Sequence, residues 1–256
     1  MAEPKKKKVV SAETGKEVKG GTSKKKIVEA APVGNAGGLR AGAIILWVVA
    51  LVFEVLALMV LIGKINLKFM PSLYQMIAFL VLDLICVIIG SSLWKKANHI
   101  KPASEKNKLK FWLWNNMGLI VCAVAFIPFV ILALTNKETD KKTKTIATVV
   151  AVIALLIGGV ASYDWNPVSE EQQQAAMTAI TDNVYWTPFG KVYHTPTCEV
   201  DENGDEIFCS SLNKSDTVYS GTVEEAIADG RTRLCSFCAK RDGITGVVTD
   251  EKAVEE

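Results

Sequence analysis

Four apolar runs, at roughly 42–62, 73–94, 111–135 and 146–162, constrain this 256-residue chain more than any other feature. Each is long enough, or nearly so, to cross a hydrocarbon core, which takes about 20 helical residues. Within hydrocarbon the backbone must satisfy its own hydrogen bonds, and a helix does so segment by segment. Four transmembrane helices over 41–162 are therefore expected. Aromatic residues suited to the membrane–water interface stand near the ends of these runs: Tyr74, Trp94, Trp112, Trp114, Tyr163 and Trp165. Half of the residues are hydrophobic, yet 22% are charged, so the charge must be segregated outside the spans.

That segregation is uneven. Residues 1–40 carry ten Lys/Arg against four Glu, whereas 163–256 carry seven basic against eighteen acidic residues. The first segment has no aromatic residue and cannot bury enough apolar surface to offset its ordering entropy, which predicts a disordered basic tail over 1–40. Pro4-Lys5-Lys6-Lys7-Lys8-Val9 imitates a nuclear import signal. Ahead of a membrane span, such a run reads better as a contact with anionic lipid. It is not expected to be a cleaved signal peptide, because its apolar run begins only near residue 41. Lys95, Lys96, Lys101, Lys106, Lys108 and Lys110 follow span two, against only Lys64 and Lys68 after span one. With the basic tail, they predict a cytoplasmic N-terminus in a plasma membrane, and four spans return the C-terminal domain to the same side. Lys137, Lys141, Lys142 and Lys144 in the third loop weigh the other way. The acidic C-terminal part would repel phosphate backbones, which argues against a nucleic-acid partner.

Beyond the membrane, Ser169-Glu170-Glu171-Gln172 has the form of a capping box and predicts a linker helix within 163–182, ending near Ile180. Asn183–Thr187 and Lys191–His194 flank a Pro188-Phe189-Gly190 turn and read as a hairpin. Thr222-Val223-Glu224-Glu225 opens another helix, which Gly230 would close. Residues 242–256 are polar and predict a loose tail. The remaining domain, 183–241, is small enough that a metal would be a common supplement to its core.

The domain holds the ligands for one. Four of the six cysteines and one of the two histidines fall between His194 and Cys238. Tetrahedral zinc takes four soft or borderline ligands, and Cys235-x-x-Cys238 on a tight turn supplies two. His194, Cys198 and Cys209 compete for the other two positions, and spacing alone does not choose among them. Disulfides in an oxidising compartment and a redox-active thiol pair are the competing readings. Glu199–Phe208, with a hairpin-like tip at Asp201–Asp205, separates Cys198 from Cys209. No general base or open-site carboxylate accompanies the cluster, so the expected role of Zn2+ is structural and no catalytic residue is expected.

Tyr193-His194-x-x-x-Cys198, Thr222-Val223-Glu224-Glu225-Ala226-Ile227, Gly230 and Cys235-x-x-Cys238 resemble the metal-binding N-terminal domain of the Ada DNA-repair proteins. They are closer still to the small zinc modules of that type carried by bacterial membrane and secreted proteins. The resemblance covers about 55 of the 256 residues and implies zinc binding and a small α+β fold. Where that family has a methyl-accepting cysteine this chain has His194, so the resemblance does not extend to alkyl transfer.

Glu54 and Asp83 lie near the middle of spans one and two, at similar depth if the helices are antiparallel neighbours. Intramembrane carboxyls mark a functional site by default. Here they are expected either to tie the helices by hydrogen bonds or to hold a proton or cation. Cys86 and Cys122, inside apolar runs, read as packing residues. The sequence therefore describes an α-helical membrane protein of four spans with a small α+β zinc-binding C-terminal domain. The expected function is display of that module, for binding a protein partner or sensing metal or thiol state. The alternative is a small proton- or cation-coupled transporter with a regulatory zinc module.

Overall fold

The computed structural model describes residues 26–137, 139–196, 209, 212 and 215–250. Helices α1 (Ala36–Leu61), α2 (Ser72–Ile100), α4 (Met117–Thr135) and α5 (Lys141–Ser162) are long and apolar enough to cross a membrane. A short α3 (Lys108–Asn115) precedes α4. Asn35 caps α1 by accepting the amides of Gly37 and Gly38, and Asp140 caps α5 by accepting that of Thr143.

The third apolar run, expected as one span over 111–135, is broken at Asn116. The Nδ2 groups of Asn115 and Asn116 each donate to a carbonyl one turn back, of Phe111 and Trp112, at 3.0 Å. Such side-chain bonds compete with the helix ladder. The break leaves the Trp114 carbonyl to accept Trp94 Nε1 at 2.8 Å and Asn98 Nδ2 at 3.2 Å. It thus fastens α3 to the end of α2.

The bundle is sided opposite to a soluble one. Its inner surface is rich in alanine and glycine, whereas Ile45, Val48, Val52, Leu156 and Val160 point outward. Small residues allow close helix approach, which is how helices gain packing where lipid removes the hydrophobic drive. The buried positions of α1 include Ala43, Trp47, Ala50, Glu54, Ala57 and Leu61, and those of α2 include Met76, Leu80, Asp83, Val87, Gly90, Trp94 and Ala97. These two series repeat at alternating three- and four-residue steps, the spacing of an interlocking helix seam. Arg40, at the head of α1, donates to the Lys101 carbonyl at 2.8 Å and lies over the Trp94 and Trp114 rings.

The C-terminal domain starts with α6 (Glu170–Ala179), where Ser169 and Gln172 form the expected capping box. Strands β2 (Val184–Trp186) and β3 (Val192–Tyr193) are joined across Tyr185 and His194, whose amides and carbonyls exchange bonds at 2.8 Å. Strand β4 (Thr217–Gly221), α7 (Val223–Ala228) with its own capping box, β5 (Arg233–Leu234) and α8 (Ser236–Asp242) follow. Gly230, at φ 88°, takes the left-handed turn after α7 that a side chain would resist. The core includes Val184, Trp186, Tyr193, Ile227 and Leu234.

Two segments expected to be disordered contribute to this domain. Lys26–Glu29, within the basic tail, form strand β1, which pairs parallel with β4 in a sheet ordered β1-β4-β2. Val28 is half-buried in this strand and Ala30, just after it, packs on the domain core, whereas Ile27 is exposed. At the other end, Ile244 and Val247 pack on the core, the Leu234 amide donates to the Val248 carbonyl, and Asp250 accepts the Ser236 amide at 2.9 Å. Residues 1–25 and 251–256 lie outside the described residues. Because β1 precedes α1 and pairs with a strand that follows α5, the two termini of the bundle and the domain share one end.

The closeness of the helices is open to test at Gly118. A Cβ there would come within 2.6 Å of Ser91 Cβ and 3.2 Å of its Cα. Gly118→Val should push α4 from α2 and destabilise the detergent-solubilised protein by about 1–3 kcal/mol, read as an earlier thermal transition. An unchanged transition would contradict this packing.

Candidate metal centre

Two strands of only two residues each place the first pair of ligands. Strand β3 runs parallel to β5 with Val192 opposite Arg233 and Tyr193 opposite Leu234. The next residue on each strand is therefore His194 on one and Cys235 on the other, side by side. The Cys235 amide donates to the Tyr193 carbonyl at 2.9 Å and locks that register. Cys235 caps α8, whose first turn returns Cys238 to the same place. Cys209 arrives from the chain leading toward β4, and its carbonyl accepts the amide of the fully buried Leu212 at 2.8 Å.

One ligand atom each from His194, Cys209, Cys235 and Cys238 lies within 4.8 Å of all the others. Cys209 Sγ and Cys235 Sγ are 4.0 Å apart, and Cys238 Sγ is 3.6 Å from His194 Nδ1. His194, Cys235 and Cys238 are buried. The five described cysteines are free thiols. Four donors, three sulfur and one nitrogen, enclose one small volume that can hold a metal ion. Cys198, the remaining candidate, lies outside the described residues, as does the expected hairpin tip at Asp201–Asp205.

Two of the thiols share one proton and are shifted in opposite directions. Cys235 is held well below the usual thiol range, first by the hydrogen bond from the Cys238 thiol, then by His194 and the Cys238 amide. The same bond, with burial, pushes Cys238 up. A metal ion replaces the shared proton and takes both sulfurs as thiolates. Around the ligands, Arg241 donates to Thr195 Oγ1 at 2.8 Å and to the Pro196 carbonyl at 2.9 Å, and it pairs with Asp242 at 2.6 Å. Thr195 in turn donates to Asp242. Arg241 holds Asp242 below the usual carboxylate range, and its hydrogen bond to Asp242 raises Arg241 in turn. This layer fixes the His194–Pro196 turn and sets a guanidinium beside it. Its signal in the sequence was slight: Arg241 and Asp242 follow the Cys-x-x-Cys by only three residues, a distance that one helical turn brings back to the ligands.

The two intramembrane carboxyls are also where the sequence placed them in the spans. Glu54 is buried on α1 and Asp83 on α2. Neither Asp83 oxygen has a hydrogen-bond partner, while the backbone of Phe129 on α4 reaches Glu54.

No family model, curated protein or solved structure matches this chain.

The ligand set makes a prediction that separates the competing thiols. Cys209→Ser should remove most bound metal from the purified protein, whereas Cys198→Ser should retain it at full stoichiometry. Equal loss in both variants, by metal analysis, would contradict the four-donor assignment.

Proposed function

We propose that this chain is a four-span bacterial plasma-membrane protein that displays a structural zinc module on its cytoplasmic side, as a surface for a protein partner and a sensor of metal or thiol state. One observation carries the zinc reading. Bonds of about 2.3 Å to sulfur and 2.0–2.1 Å to nitrogen, at tetrahedral angles, give edges of about 3.8 Å between sulfurs and about 3.6 Å from sulfur to nitrogen. Two separations in the cluster, 4.0 Å and 3.6 Å, are close to those edges, and the other donor pairs lie within 4.8 Å. All four corners are protein donors, which is the pattern of a structural site. A catalytic site keeps a corner open for water.

The module is of the Ada type on this reading, with His194, the Thr222–Glu225 capping box, Gly230 and Cys235-x-x-Cys238 as its shared marks. Cys209, beyond segment 199–208, supplies the fourth ligand. The cytoplasmic side follows from the basic composition of residues 1–40 and from Lys101 and Lys106 between α2 and α3, at the same end of the bundle as the module. A reducing cytoplasm also keeps thiols available to a metal.

The test uses the full chain in detergent. Cys235→Ser with Cys238→Ser should lose the zinc and leave the domain open to limited proteolysis while the helical bundle survives. In the wild type, zinc should leave as pH falls, because each thiolate released takes up a proton that competes with the metal. Stoichiometric zinc in the double variant, or zinc occupancy that rises on acidification, would sink the assignment.

A further inference from the structure

The seam between α1 and α2 carries a second chemical site, which depends on the helices spanning a bilayer and not on the metal. A Cβ on Gly90 would lie 2.7 Å from the Trp47 ring, so these two residues are in register across the antiparallel pair. Two turns on from Trp47 is Glu54, and two turns back from Gly90 is Asp83. The two carboxyls therefore stand level. They are 3% and 0% exposed, neither Asp83 oxygen has a hydrogen-bond partner, and Glu54 is reached by the backbone of Phe129 on α4.

The surroundings offer nothing to neutralise them. Among the elements packed there, α2 adds the Cys86 thiol and α4 adds the Cys122 thiol, both within reach of the Asp83 charge. Helix α5 presents Ala147, Ala151 and Ala154, and from Thr145 to Ser162 it has no titratable group. The lysines and the arginine of the spans, Arg40, Lys95, Lys96 and Lys144 among them, sit toward helix ends. Beside Glu54 runs the backbone of Phe129, the residue after Pro128. Pro128 can give no N–H to the Val124 carbonyl, so this turn of α4 is not fully bonded within itself. The two carboxyls face an apolar interior where an isolated ionised carboxylate is strongly disfavoured.

We propose that Glu54 and Asp83 form an exchangeable proton-binding site inside the helix bundle. A carboxylate of the pair takes up one proton from water to give the neutral acid, and returns it by the reverse step. A hard metal cation is a poorer occupant. Calcium or magnesium takes about six or more oxygen ligands, and the pair offers four amid Cys122, Phe126 and Phe129.

Dicyclohexylcarbodiimide tests this, because it adds to protonated carboxyls in apolar surroundings and leaves a stable N-acylurea. Full-length protein in liposomes would be treated across mildly acidic to mildly alkaline pH and the modified residue read by mass spectrometry. Modification of Glu54 or Asp83 should fall by about tenfold or more over that range, with no effect of sodium, magnesium or calcium at fixed pH. In folded Asp83→Asn, the profile at Glu54 should shift from that of the wild type. Modification that ignores pH, or none at any pH, would identify a sealed pair and overturn the proposal. Protection by a metal cation at fixed pH would overturn it in favour of a metal site, and an unshifted profile in Asp83→Asn would show that the carboxyls do not act as one site. Should the variant fail to fold, the wild-type profile alone decides.

Discussion

Convergence of three sulfurs and one nitrogen on a single point is the constraint on which the C-terminal domain depends. Its second sheet, β3 with β5, is two residues long on each strand. A pairing so short is marginal on its own. The four donors come from the end of β3, the β5–α8 junction and the chain that approaches β4, and so join the small sheet to the larger one. One ion bound there would fix three separate stretches of chain at once. Without it, three thiols and an imidazole would be crowded together, with Cys235 and Cys238 sharing one hydrogen bond.

The domain in turn is built onto the membrane bundle and is more than a tether away from it. Strand β1 sits in its larger sheet, and only a few residues later α1 begins. Arg40 then clamps α1 to the end of α2 through the Lys101 carbonyl, with Trp94 and Trp114 around it. Near the same end, His99 of α2 faces Asp164 at 3.4 Å just after α5. Strand pairing and side-chain contacts thus join the C-terminal domain to the head of α1, and through Arg40 to the end of α2.

The sequence made much of this legible because the strongest terms are local. Length and apolarity are read directly from a run of residues, and so are the capping boxes at Ser169 and Thr222, which form as expected. What it hid was non-local. Nothing in Lys26-Ile27-Val28-Glu29 announces a parallel partner nearly two hundred residues away, and its basic neighbours argued for disorder. The 242–250 segment was likewise misread, since Ile244 and Val247 are too few to mark a folded stretch until the core they cover is known. The choice among His194, Cys198 and Cys209 was equally non-local. Register in the β3–β5 pair places His194, while the buried Leu212 pins the chain beside Cys209. One signal was available and unused: the three- and four-residue alternation on α1 and α2 already puts Glu54 and Asp83 in the seam between the helices.

The central claim is a closed, four-donor metal centre in a membrane protein, and its most direct measurement is zinc K-edge X-ray absorption on the purified full-length chain. The account predicts a first shell of three sulfurs at about 2.3 Å and one nitrogen at about 2.0–2.1 Å, with no water oxygen. A shell of four sulfurs would put Cys198 in place of His194. A shell dominated by oxygen and nitrogen would contradict the centre altogether.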